Sequence, residues 1–381
     1  MLMKYRLYTP GPTSVPEATL LELAKPVHHH RTGEFRTMFN GVQSNLQYIY
    51  QTKNTVFTIT GSGTAAFESA IVSALAPGNK ALCVVNGKFA ERWATMCTTF
   101  GIEHKDIKLE YGHHVQPEQI ANELKAAKYD AVILVHSETS TATVCDLENI
   151  AKAVRASGDT LLMVDGITSI GALPFNMDDW GVDVAVTGSQ KALMLPPGLG
   201  FVALSPRAWA AAEKNKTQKD FYFDLKKYRK SIEDGDTPFT PANTLIEALA
   251  VSLNMVKSEG LEGVWKRTHG VAEATRQGMK ALGIQLFSQQ PADSVSAFVY
   301  PAGVNDKDFR GGLKSKHNIH VAGGQGTMEG KIFRVNHMGY TDAYDALAVV
   351  AGTEHVLKSL GKPVELGAGV AAAQKVLGQL F

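Results

Sequence analysis

The sequence predicts an α/β fold, with a large domain over residues 14–250 built on a mixed, mostly parallel central sheet. A smaller α+β domain is expected over 251–381, together with the N-terminal segment 1–13. Three observations carry this. Short apolar runs alternate with helical spacing, the pattern of strand–helix–strand units around a parallel sheet. Polar residues recur just past the carboxyl ends of those runs, at the edge where open α/β sheets bind ligands. Beyond about residue 221 the alternation gives way to a charged, irregular stretch and then to a long helical pattern.

The elements follow in order. Val56-Phe57-Thr58-Ile59-Thr60 is an apolar strand that runs into Gly61-Ser62-Gly63-Thr64 and then a small-residue helix, about 65–75, stopped by Pro77-Gly78. Residues 81–85 form the next strand, ended by Asn86-Gly87, and a helix carrying Trp93 and Met96 follows. Further buried strands are expected at 131–135, at 161–164 ending in Asp165, at 182–187 leading to Lys191, and at 200–204. A helix over 147–155 is capped by Gly158. One long helical stretch, 243–282, leads into the C-terminal region. That region offers strands at 296–300 and 332–335 and a glycine-rich loop at Gly323-Gly324-Gln325-Gly326.

Composition excludes several classes of function. Lysine and arginine total 38 against 37 acidic residues, which leaves no electrostatic footprint for nucleic acid or an anionic membrane. The three cysteines, Cys83, Cys97 and Cys145, form no CxxC pair, and an odd count argues against a disulfide framework. With no signal-like start and no bilayer-length apolar run, a soluble, cytoplasmic protein is expected.

Three features carry chemistry. Gly188-Ser189-Gln190-Lys191 delivers a lysine to the ligand edge, between apolar flanks that include Ala192-Leu193-Met194-Leu195. A desolvated lysine has a depressed pKa and becomes a nucleophile toward an aldehyde. Asp165 ends an apolar strand upstream; it is either a turn or cap aspartate or a carboxylate at the floor of a pocket, suited to keeping a pyridine nitrogen protonated. The turn Gly61-Ser62-Gly63-Thr64 joins strand to helix, where backbone N–H groups and the helix dipole bind phosphate. It is not a P-loop, because no Lys-Ser/Thr pair follows at the required spacing.

Phosphate turn, ring-nitrogen acid and amine nucleophile in that order resemble the class V aminotransferases of pyridoxal 5′-phosphate (PLP) fold type I. The likeness runs from Thr9-Pro10-Gly11-Pro12 through Ser62-Gly63-Thr64 and His136-Ser137-Glu138-Thr139-Ser140-Thr141 to Lys191 and Arg334. It implies a PLP-dependent transaminase in which Lys191 forms the Schiff base and then moves the proton between Cα and C4′. It also implies that Asp165 pairs with the pyridine nitrogen and that Ser62, Gly63, Thr64 and Gln190 hold the phosphate. Phe89 matches the aromatic stacked on one ring face, Ile167 the aliphatic contact on the other, and Thr139 the hydroxyl beside O3′. Arg334 matches the clamp on the substrate carboxylate, with Gly11 beside the substrate. Thr237 and Thr240 resemble residues that a partner subunit supplies to the phosphate site, which implies a homodimer. Ala142 and Gly166 depart from the glycine and the serine or alanine common at those positions.

The resemblance leaves the substrate open. An alanine or serine type donor with glyoxylate or pyruvate as acceptor is the first expectation, and phosphoserine or aspartate is the rival. His30-Arg31 matches a pair that binds phosphate in some relatives and is equally a structural contact. A desulfurase-type lyase is disfavoured because no cysteine follows Cys145 and because Phe89 stands where such enzymes stack a histidine. A subunit of a redox complex is the third reading, but three scattered cysteines do not supply the usual four-cysteine spacing of an iron–sulfur cluster.

Overall fold

The protein is described by a computed structural model covering residues 3–217 and 220–380. Val56–Thr60 (β1), Lys80–Val85 (β2), Glu103–Lys108 (β3), Ala131–Val135 (β4), Leu161–Asp165 (β5), Val184–Gly188 (β6) and Leu199–Leu204 (β7) form one sheet, in the order β1-β7-β6-β5-β4-β2-β3. The strands β4, β5 and β6 are buried along their whole length, which is why they read as continuous apolar runs. Alternate side chains pack on opposite faces. Leu82, Val132, Leu162 and Phe201 join one apolar cluster, and Cys83, Ile133, Met163 and Val186 join the other.

Strand β7 runs antiparallel to both β1 and β6, while the remaining neighbours are parallel. This places the carboxyl ends of β1, β5 and β6 on one edge, where Leu199 of β7 pairs with Thr60 and Gly200 pairs with Gly188. Gly61 N donates to Gly198 O at 2.9 Å, so the turn after β1 is tied to the loop after Lys191. A Cβ on Gly200 would stand 2.7 Å from Ser62 O, so the same turn lies directly against β7.

One expectation is corrected, and one strand is added. The helical stretch over 243–282 is two helices, Asn243–Glu259 and Leu261–Ala281, separated at Gly260, whose φ of +76° suits a residue without a Cβ. The edge strand β3 is absent from the sequence reading. Its residues, EHKDIK, are mostly polar because it pairs only with β2 and has one side open.

A second, antiparallel sheet joins Val295–Val299 (β8), Ala322–Gly323 (β9) and Ile332–Asn336 (β10) in the order β8-β10-β9. It has its own apolar cluster, which includes Tyr8, Phe298, Phe309, Phe333 and Val350. Arg6–Leu7 pairs in parallel with Ile319–His320, and this ties the N-terminal segment to that unit. On these grounds we propose the division into 14–250 and 251–381 with 1–13, of which residues 1, 2, 218, 219 and 381 lie outside the described residues. Among the described residues no helix is long and apolar enough to cross a membrane.

Candidate active site

The turn after β1 opens the helix Gly63–Ala74, whose first two N–H groups, of Gly63 and Thr64, make no backbone hydrogen bond among the described residues, while Ala65 N donates to Ser62 O at 2.9 Å. Ser62 occupies the N-cap position with extended backbone, yet its side chain does not cap the helix. These donors and the helix dipole therefore face outward, free for an anion. A Cβ on Gly63 would come within 2.5 Å of Ile167 Cδ1, so Ile167 packs directly on the turn. Gln190 lies beside it: a Cβ on Gly188 would sit 3.2 Å from Gln190 Oε1 and 3.6 Å from Gly63 Cα. That Oε1 is buried without a hydrogen-bond partner.

Lys191 leaves the end of β6 and is 7% exposed. Its Nζ donates to Pro10 O, and Thr13 Oγ1 donates to its carbonyl at 2.9 Å. Gly11 lies over the amine so closely that a Cβ there would be 2.6 Å from Nζ. Burial first, and then the positive charge of Arg334, push the amine down to about 7. Asp165, 3% exposed, is pushed up to about 8, chiefly by burial. Among the described residues its carboxylate accepts one hydrogen bond, from Ile167 N at 2.8 Å. The turn reading of Asp165 is thus met by one oxygen only, which leaves a buried carboxylate short of a cation.

Arg334, on β10, is 4% exposed. Its Nε and Nη2 donate to Gly323 O at 3.0 and 2.8 Å, and its Nη1 donates to Thr139 O at 3.0 Å. Three of five N–H donors are used, so one remains on each Nη, the fork that fits a carboxylate. The hydroxyls of Thr139 and Thr168 are 2.5 Å apart. Phe89 is half-buried, with the Arg92 guanidinium 4.7 Å from its ring centre. The Arg92 side chain forms no ion pair or hydrogen bond among the described residues, and its charge lowers the pKa of both Asp165 and Lys191.

These contacts bring Ser62, Gly63, Thr64, Ile167, Asp165, Gln190, Lys191, Gly11, Thr139 and Arg334 to one edge. Thr237 and Thr240 make no hydrogen bond to it among the described residues, although Ala242 N donates to Thr60 Oγ1 at 3.0 Å, next to the turn. Thr237 Oγ1 donates to Phe239 O, and Thr240 is exposed. Both departures noted in the sequence have local correlates. Ala142 takes a left-handed φ of +57°, the conformation a glycine adopts without strain. Gly166 leaves room for Ile170, whose Cγ1 would lie 2.5 Å from an added Cβ.

Sequence reasoning gives Pro10, Thr13 and Glu138 no role, because their bonds are made to distant segments. A different cluster, Cys83, His104 and Asp106, has its donor atoms within 4.8 Å of one another. Both His104 nitrogens are already engaged there, Nδ1 with Asp106 and Nε2 with Thr98, and Cys83 is fully buried against Cys97. A cavity of about 840 Å³ opens at the opposite edge of the sheet, lined by Asn79, Tyr129, Asp159 and Arg207 among others. Its buried-side cation is spent on structure: Arg207 bonds Asp183, Gly158 O and Thr160 O.

Comparison with known proteins agrees with this geometry. The family model for class-V aminotransferases matches residues 15–360. A Synechococcus protein named as the small subunit of a soluble hydrogenase is 41% identical, over 98% of each chain. A serine–glyoxylate aminotransferase of Methylorubrum extorquens is 35% identical, over 97% of this chain and 95% of the relative. Among solved structures, an aspartate aminotransferase from Thermus thermophilus superposes with a TM-score of 0.87 at 35% identity, covering 93% of this chain and 99% of its own.

Proposed function

The chain belongs to the class-V aminotransferase family, and we propose that within it the chain moves an amino group from a small amino acid, of the alanine or serine type, to a small 2-oxo acid of the glyoxylate or pyruvate type. Its cofactor is pyridoxal 5′-phosphate, and the residues present fit that group. A helix start with unused donors suits the phosphate, a buried carboxylate short of a cation suits a protonated ring nitrogen, and a desolvated amine suits the aldehyde. When bound, the cofactor supplies an aldehyde that condenses with primary amines and a protonated ring that withdraws electrons from the substrate Cα.

In this reading Ser62, Gly63 and Thr64 hold the phosphate, with Gln190 adding its amide after rotation about the last side-chain bond. Asp165 holds the proton on the ring nitrogen. Phe89 and Ile167 flank the ring, and Thr139 donates beside O3′. Lys191 Nζ, near neutral at physiological pH, holds the cofactor and then carries the substrate proton. Arg334 orients the substrate carboxylate. The observation that supports a small substrate is the close roof: Gly11 and Pro10 sit directly on Lys191 Nζ, and Arg334 offers one open fork.

A second reading, an aspartate-type donor, is favoured by Arg92, whose guanidinium lies on the Phe89 ring without an acidic partner among the described residues and whose charge acts on Lys191. The two readings separate in a half-reaction screen that mixes the PLP form with single amino acids and follows conversion of the chromophore to the amine form. Alanine or serine converting fastest supports the first reading. Aspartate converting fastest, with the advantage lost in Arg92→Ala, supports the second. No conversion by any small amino acid sinks both.

Arg334→Lys tests the carboxylate clamp. A lysine keeps the charge but loses the fork and the paired bonds to Gly323 O, so the KM for donor and acceptor is expected to rise about 10- to 100-fold. An unchanged KM in steady-state assays counts against the role. The same reading makes the enzyme a cytoplasmic homodimer in which Thr237 and Thr240 serve the partner's phosphate site. The lack, among the described residues, of any hydrogen bond from either threonine to the Ser62–Thr64 turn of its own chain supports this, and a monomer in sedimentation equilibrium with full activity would refute it.

A further inference from the structure

We propose that Glu138 is the positioning residue of this site, its buried carboxylate fixing the Phe89 ring against the cofactor from the short hairpin of Ser137–Glu138 with Thr143–Val144 that follows β4; the inference rests on the cofactor reading above. Glu138 has no exposed surface. Its Oε2 accepts Ala90 N at 2.8 Å, and its Oε1 accepts Ser140 N at 2.9 Å, Ser140 Oγ at 2.7 Å and, more distantly, Phe89 N at 3.4 Å. Ser140 Oγ in turn accepts Lys88 N at 2.9 Å. Three consecutive N–H groups, of Lys88, Phe89 and Ala90, are thus satisfied from the loop that follows β4.

Those groups belong to the start of the helix Ala90–Thr99, whose N-cap position is Phe89 itself, helical in backbone and with no side-chain cap. A serine or aspartate at that position would cap the helix locally, at a gain of about 1 kcal/mol over a non-capping residue. Here an aromatic occupies the place, and the capping carboxylate comes from a distant residue. Such an arrangement keeps the position free for a ring while the negative charge still lies at the helix start. The approach is tight, since a Cβ on Gly87 would overlap the Glu138 side chain and stand 2.7 Å from Ser140 Oγ. The next residue, Thr139, holds Arg334 through its carbonyl, so the same loop that sets Phe89 also sets the guanidinium. The Glu138 charge acts on Lys191, Asp165 and Arg334 as well.

Glu138→Gln keeps the shape, removes the charge and turns an NH₂ toward backbone donors. The experiment is a double-mutant cycle on PLP affinity, measured by titrating the cofactor-free proteins, with Phe89→Ala as the second site. Wild type binds PLP; Glu138→Gln weakens binding about ten-fold or more. In the Phe89→Ala background the same change costs less than about three-fold, because the ring it positions is gone. Ser140→Ala, which removes one donor to Glu138 and the acceptor for Lys88 N, gives a smaller loss of the same kind and carries the test if Glu138→Gln does not fold. Equal losses with and without Phe89 would overturn the proposal. So would a lowered melting temperature with unchanged PLP affinity, since that is a purely structural role. A wild-type protein that binds no PLP would sink the cofactor reading itself, before any variant is made.

Discussion

Lys191→Ala will lose turnover by about 10⁴-fold or more while remaining folded. General acid–base catalysis alone contributes about 10²–10⁴-fold, and this residue is proposed to hold the cofactor covalently as well. The size of the effect follows from how the amine is held. Burial and the nearby Arg334 charge lower it to about 7, so a large share is neutral and nucleophilic at physiological pH. Among the described residues its one hydrogen-bond acceptor is the Pro10 carbonyl. Removing the side chain frees one carbonyl and takes an amine out of a dry site, two terms of opposite sign, so the melting temperature should stay within a few degrees. Single-turnover assays with the variant check the rate, and borohydride treatment should no longer fix the cofactor to the chain. Near-normal turnover would remove Lys191 from the centre of the reaction.

How far the sequence reveals this depends on whether the relevant contacts are local. The strands at 56–60, 131–135 and 161–165 are legible because both faces are buried along nearly their whole length and the runs are therefore mostly apolar. Strand β3 is not, since its open edge lets polar residues stand where pattern reading looks for apolar ones. The break at Gly260 is invisible to helical periodicity because the apolar spacing continues on both sides of it. The site divides in the same way. Lys191, Asp165 and Ser62 are legible as polar residues at the ends of apolar runs. Glu138 lies within a motif that is plain in the sequence, yet its role depends on bonds to residues about fifty positions away. The hold of Pro10 on Lys191 spans 181 positions. Arg334 is assigned by resemblance alone; its bonds to Gly323 O and Thr139 O come from a short strand and a turn that only the folded chain brings together.

Asp165→Asn is expected to lower turnover by about 10²- to 10³-fold, the usual scale for removing one preorganised charge, and at the same time to stabilise the cofactor-free protein. The sign follows from linkage. Asp165 is raised from 3.8 to about 8 in the folded chain, mainly by burial. Between those values the folded state binds a proton that the unfolded chain does not, so the stability contributed by this group is fully present below about 4 and is lost as pH rises through about 8. Asparagine does not titrate, so the melting-temperature difference, variant minus wild type, should widen from pH 5 to pH 9. The expected gain is at least about 1 kcal/mol, roughly 2 °C or more. Saturating PLP should shrink the difference, because a cationic ring nitrogen gives the wild-type carboxylate the partner it lacks. The asparagine Oδ1 can still accept from Ile167 N, so a carboxylate that merely ended a turn would lose little in either measurement. Turnover falling while the cofactor-free protein gains stability therefore separates a charge held for the cofactor from a residue held for the fold.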